Sequence, residues 1–173
     1  IQDMIDHLSY VATQEGMTAE PTALNVIARQ ADGGMRDALS IFDQVNSYCQ
    51  GNITYEKVLE DLNVLDADNY FSIIDLALEN KVSDIMVLLN NIIGHGFDAG
   101  NVVTGLASHV RNVMMARDAQ TLRLLEVSER QRQRYQEQAQ KCPPTFLYQC
   151  LKIINECDVN YRQSSNKRLL VEL

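Results

Sequence analysis

The residues best equipped for chemistry lie in one short stretch, Gly33-Gly34-Met35-Arg36-Asp37-Ala38-Leu39-Ser40. Two consecutive glycines end one apolar-periodic segment and allow a tight backbone reversal. The next apolar stripe begins at Met35, so Arg36 is predicted in the first turn of a helix. A helix N-terminus already carries partial positive charge, which disfavours a cation there and favours Asp37 beside it. An external anion resolves the mismatch, because first-turn N–H groups and a guanidinium together make a phosphate site. A surface arginine partly neutralised by Asp32 or Asp37 fits the same spacing.

Other candidates carry less. Arg130, Arg132 and Arg134, with Lys141 and the upstream Arg123, could meet nucleic acid or a partner subunit. Glu126, Glu129 and Glu137 interleave with them, however, and an i, i+2, i+4 spacing spreads the arginines round a helix, which reads as a solvated face. The stripe Leu147, Leu151, Ile154, with Tyr148, Tyr161 and the run Leu169-Leu170-Val171, suits a core. Its candidates for a subunit interface are Tyr148, Leu151, Ile154, Leu169 and Leu170. The cysteines, Cys49, Cys142, Cys150 and Cys157, form no C-x-x-C pair and lie far in sequence from His7, His95 and His109, so a zinc site is not expected. They read as small buried apolar residues. His95 and His109 read as surface or core histidines, and Ser40 has no histidine near it. The pairs Asp66/Asp68 and Glu60/Asp61 read as helix-start and loop charge, so no catalytic residue is assigned.

The elements that must position these residues are helical almost throughout. Met4, Ile5, Leu8, Val11 and Ala12 predict a helix over 1–14, stopped by Gly16. Thr18 is predicted to cap a second, with Leu24, Ile27, Ala28 and Ala31 inside. Met35, Ala38, Leu39, Phe42 and Val45 form a third, ending near Ser47. Residues 48–54 lack helical period and contain Gly51-Asn52, which predicts a domain boundary. Beyond it, Thr54, Asp66 and Ser128 are predicted caps, Asp98 opens a long helix to about Gln120, Pro143-Pro144 stops another, and a last helix opens near Asn166 and is truncated. The expected class is all-α: a three-helix bundle over 1–48 and a larger bundle of six or seven helices over 54–173.

Composition narrows the function. The chain has 173 residues, 46% hydrophobic and 22% charged, which suffices for a real core. Fifteen Lys and Arg against 23 Asp and Glu leave a net charge of −8, the wrong balance for dedicated duplex binding or an anionic membrane surface. No apolar run approaches the roughly 20 residues that span a bilayer. The chain begins and ends inside amphipathic patterns and is expected to be a piece of a longer protein.

The segment from Ala28 to Gln44, A-R-Q-A-D-G-G-M-R-D-A-L-S-I-F-D-Q, resembles the sensor 2 region of the AAA+ clamp-loader ATPases, above all the gamma/tau family of bacterial DNA polymerase III. Glu20 to Arg29 is similar to the second helix of that family's three-helix lid. Residues around Gly51, Pro143-Pro144 and Asn166 to Leu173 are similar to its helical collar. The resemblance implies a lid over 1–48 and a collar over 54–173, with Arg36 as the sensor 2 arginine reaching the γ-phosphate of ATP, and with Gly33, Gly34 and Asp37 supporting the turn and helix start. It also implies a cytoplasmic protein of the replicative nucleotidyltransferase holoenzyme. ATP with magnesium would be its cofactor, other clamp-loader subunits its partners through the collar, and the sliding clamp and primed DNA its targets through the complete assembly. No G-x-x-x-x-G-K-[ST] loop is present in these 173 residues. The chain alone is therefore not expected to be an enzyme or to hold a cofactor. A helical adaptor that binds a protein through the C-terminal stripe, and a small enzyme of unrecognised site, are the rival readings.

Overall fold

The computed structural model describes residues 1–32 and 34–173, which form two packing units, Ile1–Val64 and Leu65–Leu173. In the first unit, helix α1 (Gln2–Gln14) buries Met4, Leu8 and Ala12, one residue per turn on a single face. The chain turns at Gly16, whose φ of 68° suits a residue without Cβ. Thr18 does not cap a helix as its residue type suggests. It pairs instead in a short parallel bridge, β1 (Thr18–Ala19) with β2 (Asn52–Ile53), in which the Thr18 N–H donates to the Gly51 carbonyl at 3.0 Å and the Glu20 N–H to the Ile53 carbonyl at 2.9 Å. Helix α2 (Pro21–Gln30) then begins with Pro21 in its first turn, where a missing N–H costs nothing.

Helix α3 (Met35–Cys49) buries Ala38, Phe42, Val45 and Cys49, and it ends at Gln50 in the left-handed conformation. Helix α4 (Tyr55–Leu62) is capped by Thr54, whose hydroxyl accepts from the Lys57 N–H at 3.4 Å. Sequence periodicity groups α4 with the later helices. In the structure Ile53 and Val58 are fully buried in the same core as Leu8, Leu24, Ile27 and Phe42, with Leu62 packed against it, so the packing unit extends to Val64.

The second unit holds α5 (Ala67–Leu78), α6 (Val82–Gly94), α7 (Ala99–Met115), a short α8 (Ala119–Leu122), α9 (Glu129–Lys141), α10 (Pro144–Tyr161) and α11 (Lys167–Glu172). Asp66, Asp98, Ser128 and Asn166 cap α5, α7, α9 and α11 through their side chains. Helix α7 stops at Met115, earlier than its apolar pattern suggests, because Asp118 caps a new turn by accepting from the Gln120 N–H at 2.7 Å. Helices α5, α9, α10 and α11 all pack on α7. Two glycines in α7 permit this: a Cβ at Gly105 would overlap the Tyr70 hydroxyl, and one at Gly100 would lie 2.8 Å from the Tyr161 ring.

Candidate functional site

Arg36 is the second residue of α3, as its sequence position predicts, and its side chain is exposed. Among the described residues it makes no hydrogen bond and no ion pair. Gly34 occupies the N-cap position with extended backbone (φ −95°, ψ 118°) and has no side chain with which to cap the helix. The Asp37 carboxylate folds back over that glycine, where a Cβ would lie 3.4 Å from Oδ2. Asp32, in the left-handed region at φ 47°, turns the chain between α2 and α3. Gly33 lies outside the described residues. The site is therefore an uncapped helix start bearing an unneutralised guanidinium, held on a wall made by Ala38 and Phe42 in the first core. It suits an anion brought from outside, since neither Asp32 nor Asp37 pairs with the arginine.

The basic run of the second unit is largely engaged locally. The Arg134 guanidinium lies 4.2 Å over the Phe71 ring and pairs with Asp68. Arg132 donates to the Leu125 carbonyl at 3.0 Å, and Arg123 to the Gln120 carbonyl at 3.1 Å. Lys141 sits 3.9 Å from Asp75. Arg117, which sequence patterning does not single out, donates to the Ala139 carbonyl at 2.9 Å and to the Cys142 carbonyl, closing the C-terminus of α9.

The residues put forward for a subunit face divide. Tyr148 and Leu169 are exposed, at 67% and 49%. Leu151 and Leu170 are half-buried. Ile154 turns inward, 9% exposed, and packs with Val110 and Leu147, so it belongs to the core of its own unit and is lost to any outer face. The reason is helical period: Leu147, Cys150, Leu151, Ile154 and Cys157 share the face that meets α7, whereas Tyr148 stands beside it. All four cysteines are free. Cys49 and Cys142 are buried, and Cys150 and Cys157 are half-buried along that inner face. Among the described residues no group of three or more His, Cys, Asp or Glu could hold a metal, and no helix is long and apolar enough to cross a membrane.

His109 sits deep in the second unit, only 2% exposed. Its Nε2 lies 2.6 Å from Gln138 Oε1. The Gln138 amide nitrogen donates to the Phe71 carbonyl at 2.9 Å and to Asp75 Oδ1 at 3.0 Å, which fixes the amide orientation. Gln138 Oε1 must therefore accept, so His109 carries its proton on Nε2, and Nδ1 is buried without a partner. Burial pulls the imidazole down to about 4, against the smaller upward pull of Gln138 and Asp75. The sequence offers a weak signal for this: Gln138 sits among the polar residues of α9, and nothing in the pattern says that it points inward.

Residues 3–51 match the family described as DNA polymerase III clamp loader subunit, ATPase lid domain. Residues 53–173 match the family described as DNA polymerase III subunits gamma and tau domain III. The chain is 26% identical over 175 residues to DNA polymerase III subunit tau of Bacillus subtilis, covering 99% of this chain and 31% of that protein. It is 27% identical over 179 residues to the tau subunit of Escherichia coli, covering 100% of this chain and 27% of the relative. An archaeal replication factor C small subunit, from Methanosphaera stadtmanae, is 25% identical over 171 residues, covering 98% of this chain and 46% of that protein. Among solved structures, the Bacillus subtilis DNA clamp loader delta protein has the same fold at a TM-score of 0.55 and 15% identity, covering 99% of this chain and 54% of that one. The chain thus spans less than a third of the length of the two tau relatives.

Proposed function

Because the chain belongs to the DNA polymerase III gamma/tau family and comprises its ATPase lid and collar regions, we propose that it senses ATP through Arg36 and joins clamp-loader subunits through its second unit. The observation that carries the reading is the exposed, unpaired Arg36 guanidinium at an uncapped helix start. ATP with magnesium is held by the ATPase domain of the full-length protein. Arg36 supplies one charge-assisted contact to the γ-phosphate, and Gly34 and Asp37 shape the turn that presents it. One such contact is worth about 1.5–3 kcal/mol, against about 8 kcal/mol for micromolar affinity. This chain alone therefore neither retains ATP well nor turns it over. Loss of the contact on hydrolysis frees the lid, and the whole assembly couples that release to placing a sliding clamp on primed DNA. Of the five candidates, Tyr148 and Leu169 are the ones left open for neighbouring subunits. The adaptor reading is not favoured, since both family matches are to clamp-loader regions.

The test is Arg36→Ala in the full-length protein within the assembled loader. ATP-dependent clamp loading should fall by about tenfold or more, matching at least 1.4 kcal/mol of lost contact. Stability of the variant should stay within about 0.5 kcal/mol of the parent, because an exposed unpaired side chain contributes little to folding. Loading at the parental rate would refute the sensor role.

A further inference from the structure

We infer that the outward face of α6 is the surface on which the second unit of another copy of this chain docks. The inference rests on the reading, made above, that the second unit joins subunits, and it gives that unit a contact face absent from the sequence candidates. Helix α6 is apolar on all sides. Its inner residues Leu89 and Ile92 pack with Ile73 and Val102. Its outer side carries Val82, Met86 and Val87, exposed at 62%, 47% and 60%. A helix that is apolar all round belongs in an interior, yet this one packs chiefly on α5 and leaves its far side bare.

The outer residues fall in two rows of i, i+4 spacing, Val82-Met86-Asn90 and Ser83-Val87-Asn91, all exposed. Such rows are the ridges that interlock when two helices pack. Neither row contains a charge, and Asp84, the one charged residue of α6, stands outside both. Arg168 of α11 donates to Asn90 Oδ1 at 2.8 Å and holds the end of the first row, with its own charge met by Glu172. The exposed side of α10 is built differently. There Tyr148, Ile153 and Val159 are interrupted by Lys152, Glu156 and Asp158, whose charges a contact would have to strip of water. The division of charge says which part of a copy fits α6. Residues 1–64 hold ten Asp and Glu against three Lys and Arg, whereas residues 65–173 hold thirteen against twelve. First units therefore repel one another, while a near-neutral second unit approaches its copy without that cost. Three apolar side chains make a contact well below the roughly 800 Å² per partner of a stable dimer, so the association is weak, with a Kd on the order of 0.1 mM.

Sedimentation velocity of the 173-residue chain, from about 20 μM to about 1 mM, tests it. Val87→Glu sets a carboxylate in the middle of the face and should weaken association by about tenfold or more, with Met86→Lys as an independent second variant. Both sites are exposed, so amide exchange at Val110 should match the parent and show the fold intact. Tyr10→Glu, on α1 of the first unit and also exposed, should leave association unchanged. A chain that stays monomeric at the highest concentration, or parental association in both α6 variants, would overturn the inference. Loss in Tyr148→Glu with none in the α6 variants would overturn it too, but keep the reading that the second unit joins subunits. Loss in Tyr10→Glu alone would remove that reading as well. None of these outcomes bears on the sensor role of Arg36, since nucleotide is absent throughout.

Discussion

Mild acidification should destabilise the second unit through His109. In the folded unit the imidazole stays neutral down to about pH 4, because burial penalises its charge, while the unfolded chain takes up its proton near 6.5. Above both values the ring is neutral in either state and its contribution is complete. Between them the unfolded state binds the extra proton, so stability falls as pH falls and stops falling below about 4. The gap is worth roughly 3 kcal/mol, of which about 2 kcal/mol is lost between about pH 7 and pH 5. The assay is amide exchange at Val110 and Val113, both fully buried in α7 and so reporters of opening of this unit. His109→Gln keeps a donor for Gln138 Oε1 and removes the titration, so its pH dependence should be shallower by that same 2 kcal/mol or so. Equal slopes in the two proteins, or a His109 ring that titrates near 6.5 by NMR, would refute the reasoning.

Two substitutions probe the packing and capping. Gly105→Ala gains about 1 kcal/mol of helix propensity but drives a methyl into Tyr70, at a cost of about 1–3 kcal/mol, so urea unfolding should show net destabilisation of about 1 kcal/mol. Tyr70→Leu in the same chain should relieve it, and additive losses would contradict the contact. Glu20→Ala removes the acceptor at the start of α4 and should lower stability of the first unit by about 1 kcal/mol, less at high salt. No change in exchange at Tyr55 to Val58 would argue that this bond contributes nothing.

Features decided locally could be read from the residues. Thr54, Asp66, Asp98, Ser128 and Asn166 cap helices as their types and spacing predict, since an N-cap bond spans only two or three residues. Arg36 was legible for the same reason: glycines, helix start and misplaced cation lie together in the chain. Thr18 failed because a partner at Asn52 outcompeted the local cap, and no property of residues 18–21 announces that partner. Helix α4 reads identically in either unit, and only Leu24, Phe42 and their neighbours determine where Val58 is buried. The His109–Gln138 pair needed knowledge of which faces of α7 and α9 meet, which their polar sequence does not reveal. The Leu147 stripe was recognisable as apolar, but Ile154 could be told from Tyr148 only once α7 was in place.

The pairing of Thr18 with Asn52 also sets a schedule for biosynthesis. A ribosome adds about 5–20 residues per second, so β1 waits on the order of seconds for its partner strand to be made. Through that interval the core shared by α1, α2 and α3 stays incomplete, because the Ile53 and Val58 side chains that belong to it have not yet been made. The first unit therefore closes its core only once translation has passed α4, and synonymous codons that slow elongation between these segments should delay that closure.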